Sequence, residues 1–139
     1  MQKELTIKFK ARYFSSGAVT TTTKHIWFVF HGYGQLAALG FSQGAATASR
    51  WAADNRIRFD RLILWAGVFP ADMDFNKLGN LLQHKEVLEV YGTHDPFLTE
   101  IRIKEMAQLN QKLGLNPTVI SFDGKHELNA AVLKKLSDG

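Results

Sequence analysis

The chain has 139 residues, enough for one domain (residues 1–139) with a buried core. Hydrophobic residues make up 45% and charged residues 22%, a balance typical of a folded globular protein rather than a disordered one. The net charge of +4 is the difference between 17 Lys and Arg and 13 Asp and Glu. The basic residues are scattered, without a run of five like charges, so a nucleic-acid partner is not indicated.

The residue types and the lengths of the apolar runs also limit which kinds of functional site and which cellular locations are possible. The absence of cysteine excludes disulfides, zinc–thiolate sites and a cysteine nucleophile, and it fits a reducing compartment. The N-terminus lacks the apolar stretch of a signal peptide. The longest apolar runs fall well short of the ~18 residues of a membrane helix. We therefore expect a soluble, cytoplasmic protein without a membrane span.

The first third of the chain is predicted to be β-structure. Residues 5–14 alternate between apolar and polar side chains, which indicates a half-buried strand. A turn at residues 15–17 and a Thr- and Val-containing stretch at residues 18–23 complete an N-terminal antiparallel hairpin. The continuous apolar run Ile26–Phe30 is typical of a strand covered on both faces, and we expect it to lie parallel to the strands that follow.

From residue 39 onward, strands and helices alternate. Strands are predicted at residues 39–41, 62–66, 87–91 and 118–122, and helices at residues 43–53, 75–83, 99–113 and 127–136. In the third of these helices, four residues recur at helical spacing before a glycine that ends the helix: Ile103, Met106, Asn110, Leu113 and then Gly114. The alternation predicts an α/β fold: a mostly parallel sheet with helices on both faces.

A glycine-flanked serine stands between a predicted strand and a predicted helix. Residues 40–44 read Gly-Phe-Ser-Gln-Gly and fit G-x-S-x-G, the pattern of a tight turn that exposes a nucleophilic serine. Glycine is needed two places to either side because side chains there would collide with neighbouring backbone. The following helix directs its N-terminus at Ser42 and favours negative charge there. The alternative is a plain glycine-rich turn that caps a helix.

Two further polar residues follow the C-terminal ends of predicted strands. Asp95 comes after the strand at residues 87–91, and His126 after the strand at residues 118–122. Open α/β sheets place their sites at this edge, and a nucleophilic serine needs a base that a third group orients. Taken singly, Asp95 could be a helix cap and His126 a surface residue. With Ser42, in the order Ser, Asp, His, they predict the catalytic residues of a hydrolase.

The segment His31–Gly34 follows the apolar run at residues 26–30, and we expect it at the same edge of the sheet. Its glycines let backbone N–H groups approach a ligand, as an oxyanion hole requires. The predicted donors are the N–H groups of Tyr33 and Gln43. The alternative is a loop that only ends a strand.

Four motifs together carry a family resemblance. HGYGQ, GFSQGAAT, GTHDPF and GKHEL resemble the phospholipase/carboxylesterase family of the α/β-hydrolases, close to acyl-protein thioesterase-like carboxylesterases. The resemblance implies a serine esterase for acyl esters or thioesters, with Ser42 as nucleophile, His126 as general acid and base, and Asp95 orienting His126. The implied partner is a small-molecule acyl ester, and no cofactor or metal is required. It gives no role to the other histidines: His25 and His84 are interpreted as ordinary strand-edge or surface residues, and His94 as structural.

The chain departs from that family between Gln35 and Leu39. Similar hydrolases have further strands and helices there, and a parallel crossover needs at least about 10–12 residues. Three explanations are open: an internal deletion, engineered or natural, of a larger hydrolase; a stretch absent from the sequence; or an exchange of elements between two copies. We expect the shortened chain to form a homo-oligomer, for which a domain-swapped dimer is one arrangement.

The leading hypothesis is a carboxylesterase-like hydrolase of small or medium acyl esters that works through an acyl-enzyme. The alternative is a catalytically weak or inactive scaffold that keeps the motifs of a truncated hydrolase. A nucleotide-binding domain is disfavoured because neither a strand-linked G-x-G-x-x-G nor a Walker motif is present. The sequence leaves the acyl chain, the leaving group and the choice between ester and thioester open.

Overall fold

The computed structural model describes residues 28–31, 36–54 and 58–138. Their elements in chain order are β1 (Phe28–His31), β2 (Leu36–Phe41), α1 (Gln43–Ala52), β3 (Arg61–Trp65), α2 (Phe75–Leu82), β4 (Glu86–Gly92), α3 (Glu100–Leu113), β5 (Thr118–Phe122) and α4 (Ala130–Asp138). The hairpin predicted at residues 5–14 and 18–23 lies outside the described residues.

The described strands form one sheet in chain order, in which β2 to β5 are parallel and β1 is antiparallel to β2. The predicted α/β class is therefore confirmed. Each step from β2 to β5 moves in the same direction across the sheet, so right-handed crossovers place the connecting helices on one face. The fourth helix, α4, follows the edge strand β5 and packs on the other face. Helices thus cover both faces, as predicted.

Alternating side chains of the strands build a core on each face of the sheet. The face under α1, α2 and α3 is lined by buried residues such as Leu62, Leu64 and Val87. The face under α4 is lined by Ile63, Trp65 and others, against which one side of α4 packs. None of the helices in the described ranges is long and apolar enough to cross a membrane.

The predicted helix bounds agree with the observed ones to within three residues. Gly114 ends α3 in the left-handed conformation at φ 66°, as predicted. At the other end of α3, Thr99 Oγ1 accepts a hydrogen bond from the Arg102 N–H. Of the side chains predicted to share one face of α3, Ile103 is 39% exposed, whereas the other three are buried.

The direction of β1 differs from the prediction. Phe28 pairs with Leu39 and His31 pairs with Leu36, so the two strands are antiparallel neighbours. The expected parallel arrangement was wrong because an apolar run indicates that a strand is buried and does not indicate its direction. Residues 36–38, predicted as part of a connection, belong to β2. Antiparallel neighbours need only a short link, so residues 32–35 can join them without a crossover.

Candidate active site

Ser42 lies at the tight turn between β2 and α1. Its φ of 57° and ψ of −126° are uncommon for a residue other than glycine, and such backbone costs roughly 1–3 kcal/mol. Two hydrogen bonds hold the turn: the Ser42 N–H donates to the Trp65 carbonyl (2.7 Å), and the Ser42 carbonyl accepts from the Ala45 N–H (2.9 Å). A Cβ on Gly40 would come within 2.7 Å of the Ala45 Cα. The turn therefore has the close packing that its sequence predicts.

The side chain of Ser42 is directed to a histidine instead of to its own helix. Ser42 occupies the N-cap position of α1, but its side chain makes no capping hydrogen bond. Its Oγ lies 2.9 Å from His126 Nε2, and His126 Nδ1 lies 2.7 Å from Asp95 Oδ2. The structure thus brings the three predicted residues together in one chain of hydrogen bonds.

The surroundings of Asp95 determine which nitrogen of His126 carries a proton. The Asp95 side chain is fully buried, and its Oδ1 accepts a hydrogen bond of 2.9 Å from the Phe97 N–H. Because a carboxylate oxygen accepts hydrogen bonds, the tautomer of His126 that fits this contact carries its proton on Nδ1 and donates it to Asp95 Oδ2. The lone pair on Nε2 then faces Ser42 Oγ and can accept its proton.

Backbone contacts hold together the loops that carry Asp95 and His126. The Thr93 N–H donates to the Phe122 carbonyl, and the His94 N–H donates to the Gly124 carbonyl, each at 2.9 Å. At the end of β4, a Cβ on Gly92 would overlap the carbonyl oxygens of Gly124 and Lys125. Sequence reasoning missed this role of Gly92. The only signal was a glycine between a predicted strand and a candidate acid.

Aromatic side chains complete the surroundings of His126, and sequence reasoning missed these too. The imidazole lies between Phe41 and Phe97, with ring centroids 5.0 Å and 4.8 Å away. The fully buried Trp65 donates from Nε1 to the Glu127 carbonyl (2.9 Å), which ties the loop after His126 to β3. Phe97 belongs to the GTHDPF motif, so the sequence shows that it is two residues from Asp95. The sequence does not show that its ring contacts His126.

Of the two predicted oxyanion donors, only Gln43 lies among the described residues. Gln43 is the first residue of α1, and N–H groups in the first turn have no partner within a helix. Tyr33 itself lies outside the described residues. The expectation that the strand before it ends at the Ser42 edge is wrong: His31 pairs with Leu36, at the start of β2, whereas Ser42 follows the end of β2.

The remaining described histidines lie away from this chain of hydrogen bonds. His94 is exposed, with Nδ1 3.2 Å from Thr93 Oγ1 and 3.2 Å from Asp123 Oδ1. His84 is exposed, and His25 lies outside the described ranges. No three His, Asp or Glu side chains in the described part of the chain gather as metal ligands.

Comparison with known proteins gives a family and a fold. A family model described as serine hydrolase (FSH1) matches residues 29–131. Zea mays acyl-protein thioesterase 2 is 15% identical with a TM-score of 0.56, and it aligns over 75% of this chain and 54% of its own. Bacillus cereus carboxylesterase is 22% identical with a TM-score of 0.55, over 73% of this chain and 47% of its own. Esterase PE8 is 20% identical with a TM-score of 0.53, over 73% and 47%.

These likenesses show the fold. At such identities, the three solved structures establish an α/β-hydrolase architecture, and the resemblance inferred from the four motifs is confirmed. The chain spans about half the length of these solved structures. The comparison with curated proteins found no match.

Proposed function

Because this chain belongs to the serine hydrolase family (FSH1), we propose that it is a carboxylesterase-type enzyme for small or medium acyl esters or thioesters. In this proposal Ser42 is the nucleophile, His126 the general acid and base, and Asp95 the group that orients His126. The observation that carries it is the unbroken hydrogen-bond chain, 2.9 Å from Ser42 Oγ to His126 Nε2 and 2.7 Å from His126 Nδ1 to Asp95 Oδ2. Serine acts as a nucleophile only with such an oriented base.

The first half of the proposed reaction forms an acyl-enzyme. Ser42 Oγ attacks the ester carbonyl carbon while its proton passes to His126 Nε2. The negative charge that develops on the carbonyl oxygen is stabilised by the Gln43 N–H and by the positive end of α1. The Tyr33 N–H, predicted as a second donor, is not included, because His31 and Leu36 on either side of its segment pair at the end of β2 opposite Ser42. The bond to the leaving group then breaks, and His126 gives its proton to the departing oxygen or sulfur.

The second half releases the acid. A water molecule loses a proton to His126 Nε2 and attacks the acyl carbon, and the second tetrahedral intermediate collapses when Ser42 Oγ takes the proton back. Asp95 keeps its hydrogen bond to His126 Nδ1 throughout and stabilises the imidazolium. The proposed cycle needs no cofactor, because these side chains move every proton.

The rival candidate, a catalytically weak or inactive scaffold, is favoured by one observation. The chain spans about half the length of the acyl-protein thioesterase and carboxylesterase that it resembles. Catalysis needs donors and nucleophile held to within about 0.5 Å by supporting residues. A correctly spaced Ser42 and His126 with too little support would therefore react slowly.

Covalent labelling separates the two candidates. We expect a fluorophosphonate probe to add once to the wild-type chain, as measured by intact mass, and not to Ser42→Ala. Ser137→Ala, which removes an exposed serine on α4, is the matched control and should still be labelled. Saturable hydrolysis of phenyl acetate should fall on the order of 10⁴-fold or more in Ser42→Ala. A folded wild-type chain that neither binds the probe nor hydrolyses the ester would favour the scaffold.

A further inference from the structure

Phe97 is unusually exposed for its size. Its side chain is 65% exposed, whereas most large apolar side chains in the described part of the chain lie in the two core clusters. Phe97 belongs to neither cluster. A phenyl ring left in water gives up the stabilisation that burial would provide, so packing of the fold does not explain its position.

The exposed ring is nevertheless held in a defined place. The Phe97 N–H donates to Asp95 Oδ1 at 2.9 Å, which anchors its backbone to a fully buried carboxylate. Its ring meets the His126 imidazole edge-on, with centroids 4.8 Å apart and planes at 71°. An apolar surface therefore stands beside the side chain that must transfer protons, with most of its area free for a ligand.

Phe41, the other aromatic neighbour of His126, differs in its surroundings. It is partly buried and packs against the core cluster on the α4 side of the sheet. Its ring therefore contributes to the core as well as to the support of His126. Phe97 is far more exposed and belongs to neither core cluster, so of these two aromatic neighbours it is the one whose ring a bound ester can reach.

The position of Phe97 indicates which half of an ester it meets. To protonate the leaving group, His126 Nε2 must come within about 3 Å of the departing oxygen, so the group on that oxygen lies beside the imidazole. The acyl carbon and its oxyanion lie instead at Ser42 Oγ and the N-terminus of α1. Resting on the proposed function, we infer that Phe97 determines specificity for the leaving group and favours esters of aromatic alcohols.

Two ester pairs measured on the full chain test this inference. The pair 2-naphthyl acetate and phenyl acetate varies the aromatic leaving group, and the pair phenyl butyrate and phenyl acetate varies the acyl group. In Phe97→Ala we expect the naphthyl-to-phenyl ratio of kcat/KM to fall about five- to tenfold, mainly through a higher KM, because the larger naphthyl group loses more ring contact with Phe97 than the phenyl group does. The butyrate-to-acetate ratio should not change.

Two variants serve as controls. Trp51→Ala removes an aromatic side chain from the far end of α1, about 13 Å along the helix from Ser42, and should leave both ratios unchanged. Phe97→Leu keeps an apolar side chain of similar size and should shift the naphthyl-to-phenyl ratio in the same direction but less. It also provides the test if Phe97→Ala does not fold.

Three results would overturn the inference. One is active Phe97→Ala with an unchanged naphthyl-to-phenyl ratio. Another is an equal fall in kcat for all three esters, which would mean that Phe97 only positions His126. The third is a change confined to the butyrate-to-acetate ratio, which would place Phe97 beside the acyl chain. Failure of the proposed function is recognised separately, because the wild-type chain would then hydrolyse none of the esters and Ser42 would not bind the fluorophosphonate.

Discussion

At the scale of single residues, Gly92 determines how closely the loops that carry Asp95 and His126 approach. Its α-carbon faces the carbonyl oxygens of Gly124 and Lys125, where no side chain has room. At the same place, the Thr93 and His94 N–H groups donate hydrogen bonds to the carbonyl groups of Phe122 and Gly124. The 2.7 Å hydrogen bond between Asp95 and His126 therefore depends on a residue that has no functional group of its own.

We expect Gly92→Ala to reduce activity far more than its loss of stability accounts for. The added Cβ would force the loops apart, and a displacement of about 1 Å at reacting groups can cost about 10²-fold in rate. Gly79→Ala is the matched control: its Cβ would lie 2.8 Å from the Leu113 carbonyl, between α2 and α3 and away from Ser42. Esterase rates and thermal unfolding of both variants check this. Equal kcat values in the two variants would contradict it.

At the scale of elements, the β1–β2 pair shows how a short connection selects strand direction. Residues 32–35 are too few for a parallel crossover but sufficient for an antiparallel neighbour. The pairing Val29↔Ala38 defines the register within one chain. The predicted exchange of elements between two copies would keep the same register but take β1 and β2 from different chains.

A disulfide between these strands tests their direction and their origin. Directly opposed α-carbons in antiparallel strands are about 4.5–5.5 Å apart, within the range that a disulfide spans. The chain has no cysteine of its own, so Val29→Cys with Ala38→Cys introduces the only two thiols. Under mild oxidation we expect an intramolecular cross-link, seen as a monomer with altered mobility on a non-reducing gel and loss of free thiols.

The control pair for the cross-link is Val29→Cys with Leu62→Cys. Leu62 pairs with Ala38 from the other side, so it lies two strands from Val29, about 9–10 Å away, and should not cross-link. A covalent dimer from the Val29–Ala38 pair would show that β1 comes from a second copy, in agreement with the predicted domain-swapped homo-oligomer. No cross-link at all would contradict the antiparallel register.

At the scale of the whole molecule, a buried carboxylate makes stability depend on pH. Glu89, in the middle of β4, is 5% exposed, and its Oε1 accepts a hydrogen bond of 2.8 Å from Asn110 Nδ2. Burial raises the pKa of Glu89 above its ordinary value, and the hydrogen bond from Asn110 opposes this only in part. Asn110 Oδ1 is buried without a partner in the described part of the chain.

The direction of the pH dependence follows from the raised pKa. The folded state holds the Glu89 proton more tightly than the unfolded state, so its contribution to the free energy of unfolding is fully present below the unfolded pKa and is lost as the pH rises through the folded pKa. Glu89→Gln cannot ionise, and its amide can donate to Asn110 Oδ1 while accepting from Asn110 Nδ2. We expect the variant to be about 1–2 kcal/mol more stable than wild type near pH 7.

Urea unfolding at a series of pH values checks this expectation. The wild-type chain should lose stability relative to Glu89→Gln as the pH rises above the ordinary pKa of a glutamate, and the two curves should converge at the acid end. Glu100→Gln, at an exposed position on α3, is the matched control and should follow wild type closely. A Glu89→Gln variant that is less stable at every pH would mean that the carboxylate stabilises the fold.

Local sequence signals determined most of the helix and strand positions of this protein. Apolar periodicity and turn residues are local signals, so the elements from residue 39 onward were predicted nearly in place, and β5 matches its predicted range. The candidate site was predictable as well, because the C-terminal ends of parallel strands meet at one edge of a sheet. Ser42, Asp95 and His126 each follow such an end, and the structure places them within hydrogen-bond distance of one another.

Only the tertiary structure decided how distant segments meet. The direction of β1 depends on its hydrogen bonds to β2. A continuous apolar run predicts burial but does not predict those hydrogen bonds. The contact of Phe97 with His126 joins residues 29 positions apart, and the approach of Gly92 to Gly124 joins residues 32 apart. Such contacts arise from the way neighbouring strands align their loops. No periodicity in a single segment encodes that alignment, because it is a property of the assembled sheet.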